Sequence, residues 1–185
     1  MFLRSNEVVL GPGVTAPNAP LQSIPLKINT RVIDGYNITD VADFNLTAKV
    51  LAKRNYTLGR EADLSPTDLA LGWGNMSDEA VLQHVDISQS GRFYFWRVQQ
   101  FPIPRKEIET SSANMHIVPG NAFVEAELKK VRKGDVIKMG GRLVNIRSST
   151  DQWWWLTSKT RNDTGTGACE IVWVESLYIV TPTTL

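Results

Sequence analysis

The sequence predicts an α+β domain built on a bent, mainly antiparallel β-sheet with short helical insertions. Three observations carry that expectation. From Lys133 to Val180, β-branched and aromatic runs alternate with Gly, Ser, Asp and Thr clusters, the pattern of three consecutive antiparallel strands. Gly140-Gly141 stands inside the first of these runs, where glycine marks a bulge or a sharp bend. A helical pattern from Asn121 to about Val131 feeds through Lys133-Gly134-Asp135 into that strand, and OB- and SH3-like barrels use bent strands of this kind.

A chain of 185 residues with 42% apolar and 21% charged side chains suits one globular domain and needs no covalent staple. Twenty basic against nineteen acidic residues leave a net charge of +1, so no global field draws the protein to nucleic acid or an anionic surface. One cysteine excludes an internal disulfide and a thiolate-rich metal site. No apolar run is long enough to span a bilayer, and the first ten residues are too short and polar for a signal-peptide core.

In chain order, residues 1–30 read as an extended arm carrying Pro12, Pro17, Pro20 and Pro25, either a tether or a strip laid on the domain, and 31–185 as the domain itself. Phe44, Leu46, Ala48 and Val50 alternate with Asn45, Thr47 and Lys49, which gives a strand with one dry and one wet face. Ser65-Pro66-Thr67-Asp68 has the form of a helix start leading into Leu69-Ala70-Leu71, and Ser77-Asp78-Glu79 starts a second helix to about Asp86. After a polar break ending at Ser90-Gly91, Arg92 to Val98 is an aromatic strand. Pro104 to Glu109 fits one helical turn, and Asn114 to Val118 a short strand closed by Pro119-Gly120. Asn121 caps the next helix, whose Val124, Leu128 and Val131 form one stripe.

Among chemistry-bearing residues, Cys169 is the sole thiol and His84 and His116 the sole imidazoles. A hydrolase built from them would use Cys169 or His116, with Asp68, Asp163 or Glu170 as supporting acid. Alternation places Cys169 with Ile171 and Trp173 on one strand face, which suits an inert buried thiol. His116, between Met115 and Ile117, suits a hydrogen-bonded structural role. Neither a His-x-x-x-His nor a Cys-x-x-Cys spacing is present, so no metal and no cofactor is expected. Trp153-Trp154-Trp155 places its outer two indoles on one face and Trp154 on the other, and exposed indole is a platform for sugars, bases or protein partners. Arg142, Arg147, Lys159 and Arg161 flank it, but Asp151, Asp163 and Glu170 dilute that charge, which disfavours nucleic acid. Asp163-Thr-Gly165-Thr-Gly167 lacks the context of a dinucleotide or phosphate loop and reads as a hairpin loop.

Seven stretches stand out as distinctive words: Pro12-Gly-Val-x-Ala-Pro-x-Ala-Pro20, Arg60-Glu-Ala-Asp-Leu-Ser-Pro-Thr-Asp-Leu-Ala-Leu-Gly-Trp-Gly74, Met76-Ser-Asp78, Phe93-Tyr-Phe-Trp-Arg97, Ser112-Ala-Asn-Met-His116, Asp163-Thr-Gly and Ala168-Cys-Glu170. Together they resemble an uncharacterised family of bacterial, mostly proteobacterial, proteins. The resemblance spans nearly the whole chain and brings no activity with it. Many members look as if a single membrane helix precedes the proline arm. This chain departs from that pattern, and with such an anchor the arm would be a spacer.

The expectation is a non-catalytic binding or assembly module at the bacterial cell envelope. Its aromatic surface of Trp73, Trp153, Trp154, Trp155, His116 and Arg161 would meet a protein or a glycan, and the membrane would be reached through an N-terminal anchor. The alternatives are the hydrolase above, a single-stranded nucleic-acid binder on a barrel, and a cytoplasmic location.

Overall fold

The computed structural model describes residues 7–160 and 169–180. Two short strands, β1 (Leu21–Ser23) and β2 (Thr30–Ile33), precede the 20-residue β3 (Tyr36–Asn55). Asp34 and Gly35 join β2 to β3 with φ of 49° and 80°, the twist a two-residue hairpin loop needs. Then come α1 (Arg60–Leu64), β4 (Thr67–Gly72), a 3-10 turn (Gly74–Ser77) and α2 (Glu79–Leu82). The hairpin β5 (Asp86–Ser90) and β6 (Phe93–Arg97) leads to α3 (Arg105–Thr110) and β7 (Ser112–Pro119). The last elements are α4 (Ala122–Lys130), β8 (Val136–Ser148), β9 (Trp154–Trp155) and β10 (Glu170–Val180).

Five strands close on themselves. β3 pairs with β4, β4 with β7, β7 with β10, β10 with β8, and β8 again with β3. Only β7 and β10 run parallel. β3 serves both sides of the closure: Lys49 faces Gly72 of β4 and Val136 of β8. Counted in chain order, the ring runs first, second, third, fifth, fourth, with α4 between third and fourth, which is the order of an OB barrel. The predicted bent, barrel-like antiparallel sheet is thus the observed architecture. Its interior holds the expected alternating residues Phe44, Leu46, Ala48 and Val50, joined by Leu69, Leu71, Met115, Ile117 and Val172 from the other strands.

Gly140-Gly141 acts as expected at a bend, with a refinement. The irregularity lies in the facing strand, where the register of β10 shifts between Val174 and Ser176 opposite the two glycines. A methyl on Gly141 would overlap the Trp173 carbonyl oxygen, so the bulged strand can approach only a glycine. Helix α4 is capped as predicted: the Asn121 side chain accepts from Val124 N at 3.0 Å, and Val124, Leu128 and Val131 are buried. At its other end, Lys53 Nζ donates to the carbonyls of Leu128 (2.6 Å) and Val131 (3.0 Å), which places a cation on the negative helix terminus.

Other local expectations are corrected. Ser65 ends α1 rather than starting a helix, and Thr67–Gly72 is a strand whose residues are all buried. Its Leu69 and Leu71 fill the barrel while Ala70 packs under the β5–β6 hairpin, so burial on both faces outweighs the capping signal. The helix begun by Asp78, whose side chain accepts from Ala80 N, stops at Leu82, and the polar stretch after it is β5. The proline arm lies along the domain as a strip: Ser77 Oγ accepts from Thr15 N and Ala16 N, and Gly74 N donates to Ala16 O.

Candidate functional site: a buried polar cluster and an aromatic rim

On an OB barrel the outer face of the second and third strands, with the loops after the first and fourth, is the usual ligand surface. Those strands are β4 and β7. Barrel residues alternate in and out, so Asp68 on β4 and Asn114 and His116 on β7 point outward, and Asp68 stands opposite His116 in register. His116 Nδ1 donates to Asp68 Oδ1 at 2.9 Å, and Arg92 Nη1 donates to the same oxygen at 2.8 Å. Asn114 Nδ2 reaches Asp68 Oδ2 at 3.4 Å and the Arg92 carbonyl at 3.1 Å. Gln89 of β5 donates to Asn114 Oδ1 at 2.7 Å. A buried carboxylate is stable only when charges or donors surround it, and Asp68 has both.

Arg92 is the piece that sequence reasoning missed. It occupies the second position of the two-residue β5–β6 turn with φ of 71°, after Gly91 at 58°, a left-handed conformation that costs a non-glycine residue energy. Its surroundings hold it there. The backbone N donates to Tyr56 Oη at 3.1 Å, the guanidinium lies 3.9 Å from the Tyr56 ring centre, and Nη1 also donates to the Ser65 carbonyl. The signal was present as Gly91-Arg92 between two short alternating runs.

Cys169 joins the cluster at its edge. Its thiol faces the Arg92 carbonyl at 3.8 Å and Asn114 Nδ2 at 3.9 Å. Burial pushes the thiol up to about 11, with Glu170 and Asp68 adding to the rise and Asn114 opposing it, so at neutral pH the group is a protonated, poor nucleophile. His116 is 4% exposed, and the Trp155 ring lies over it at 4.7 Å between ring centres. Sulfur, imidazole and carboxylate are therefore neighbours, with the hydrogen bond between ring and acid and the thiol held by Asn114 and a carbonyl.

The second feature is the rim formed by the loops after β3 and β8. Trp153 and Trp155 are half-buried over the outer barrel face made by Ile38, Val144, Ile146 and Ile171. Trp153 meets Tyr36 edge-on at 5.6 Å, and the Arg60 guanidinium lies 5.0 Å from Trp153 and 5.9 Å from Tyr36. Asp151 ties this together: Arg60 Nη2 donates to it at 2.8 Å and Trp153 N at 3.0 Å, and the Arg60 hydrogen bond holds its carboxyl far below the usual range. Trp154 points the other way and is 57% exposed, beside the exposed Arg147 across the β8–β9 pairing.

Of the predicted surface residues that are described, the tryptophan triplet contributes to the rim and Trp73 and His116 do not. Trp73 is 3% exposed in the barrel core, and His116 is sealed in the cluster, so neither presents a surface. Glu170 is buried and has its own contacts. Arg161, Asp163 and the glycines of the predicted hairpin loop lie outside the described residues. Cavities of about 180 and 200 Å³ lie elsewhere, one against the ion pair of buried Lys49 with partly exposed Glu79 and one between the arm and Gly140. Among the described residues no group of His, Cys, Asp and Glu is arranged to hold a metal, and no helix is long and apolar enough to cross a membrane.

No family model, no curated protein and no solved structure matches the chain.

Proposed function

We propose that the protein is a non-catalytic binding or assembly module of the bacterial cell envelope, and that the exposed part of its tryptophan triplet, Trp154 on the face opposite Trp153 and Trp155, receives a protein or a glycan. One observation carries this reading: Trp154 holds its indole 57% exposed on an ordered strand. The backbone there is fixed by Ser148 N to the Trp153 carbonyl (2.9 Å) and by Thr157 N to Asn145 Oδ1 (3.0 Å). A pre-ordered indole loses little entropy on binding, which is why such residues anchor interfaces and stack on sugars.

The position supports it too. The usual OB ligand face is filled by the chain's own β5–β6 hairpin, which among the described residues leaves Trp154 as the exposed indole of the neighbouring loops. Arg60 is already paired with Asp151, and the net charge is +1, so the rim suits an uncharged or mixed-charge partner better than a polyanion. The envelope assignment rests on the resemblance to bacterial proteins with an anchored proline arm.

Hydrolysis is the second reading, favoured by the His116–Asp68 hydrogen bond. It ranks lower because the imidazole is covered by Trp155 and the thiol is held protonated. The test is a tryptophan-fluorescence titration with N-acetylglucosamine oligomers, run beside photocrosslinking from position 154 in bacterial cells. At least one readout is expected to report a partner, and Trp154→Ala should weaken glycan binding tenfold or more without lowering the melting temperature. Silence in both assays would overturn the proposal, and so would a parent that binds the oligomers beside a Trp154→Ala variant that binds them equally well.

A further inference from the structure

The loop between β1 and β2 exposes aliphatic side chains in a manner no packing argument explains. Ile24 is 90% exposed, Leu26 106% and Ile28 63%, while Pro25 between them is buried. A soluble loop ordinarily turns its aliphatic residues in and its polar residues out. Here the proline is the inward anchor and three large aliphatic residues are presented outward.

The base of the loop is firmly held. Asp40 Oδ2 accepts from Asn29 N and Asn29 Nδ2, both at 3.3 Å, and Asp40 Oδ1 accepts from Arg31 Nη1 at 2.5 Å. On the other flank Ser23 is in register with Asp43 on the same β3. The loop therefore stands out from a fixed edge of the barrel between two paired strands.

Charge narrows the occupant. No Asp or Glu occurs between Glu7 and Asp34, and Lys27 stands at the tip without an ion pair among the described residues. With Leu21 (73% exposed) and Val32 (70%) on the flanking strands, the apolar side chains follow one short stretch of chain, not the broad patch of roughly 800 Å² per partner that a stable protein interface buries. An apolar tip carrying a cation and no acid fits a soft apolar medium under an anionic surface.

We infer that Ile24, Leu26 and Ile28 insert into the lipid bilayer, with Lys27 at the level of anionic headgroups, so that the barrel touches a membrane through this loop. The inference goes beyond the rim reading and stands or falls apart from it. The test is co-sedimentation of the full chain with phosphatidylcholine vesicles with and without phosphatidylglycerol. The parent is expected to sediment with the anionic vesicles, Ile24→Asp/Leu26→Asp to lose at least tenfold in partitioning, Lys27→Glu to lose less, and Trp154→Ala to partition like the parent. An Ile28→Trp variant should blue-shift its emission on the same vesicles. Four results would overturn it: a parent that stays in the supernatant, a double-aspartate variant that still sediments, a Trp154→Ala variant that does not, or a solution dimer that Leu26→Asp splits.

Discussion

Asp68 shows how one side chain can hold three segments of chain. It receives His116 from β7 and Arg92 from the β5–β6 turn, partners 48 and 24 residues away, and is itself fully buried. Asp68→Ala leaves a partly buried guanidinium without its counter-charge and the buried Asn114 and His116 without their acceptor, and urea denaturation should show a loss of about 3 kcal/mol. Cys169 offers a check on the same cluster. A thiol pushed up to about 11 by burial stays protonated through neutral pH, so iodoacetamide should modify the folded protein slowly at pH 8 and the urea-unfolded protein rapidly. Asp151 shifts the opposite way, lowered by Arg60. Its ion pair persists through the ordinary carboxylate range and fades only as pH falls to the lowered value. A carbon-detected NMR titration should find that carboxyl still ionised at pH 3, and Arg60→Ala should return it toward 3.8.

At the scale of elements, the helix and strand termini are where single substitutions speak most clearly. Asn121→Ala removes the acceptor for Val124 N and should cost about 1 kcal/mol in thermal or urea unfolding. Gly141→Ala forces a methyl against the Trp173 carbonyl and should cost several times that, because backbone has to move on one strand or the other. These elements were also the most legible in the sequence. Alternation from Phe44 to Val50 and the stripe of Val124, Leu128 and Val131 report burial directly. Thr67–Gly72 was illegible for a physical reason: Ser-Pro-x-Asp is a local signal for a helix start, whereas the stabilisation of β4 comes from β3 and β7, which local patterns do not encode. β5 was missed because only Ile87 interrupts its polar residues, the mark of a strand that covers another sheet with one face.

For the whole molecule, the bent glycine strand and the helix before it were enough to anticipate a barrel, yet not which residues would meet on its surface. The polar cluster draws on β4, the β5–β6 turn, β7 and the start of β10, and only the closed ring makes them neighbours. Trp73 was counted with the aromatic surface, whereas its indole is buried in the barrel core. The rim tryptophans were readable because three consecutive indoles in a strand cannot all face inward.

The parallel pairing of β7 with β10 carries a consequence for biosynthesis. β10 fills the slot between β7 and β8, so a nascent chain emerging from the ribosome displays two unsatisfied sheet margins until Val180 has cleared the exit tunnel. Termination ahead of Glu170 should therefore yield an aggregate rather than a smaller barrel, because both margins stay open.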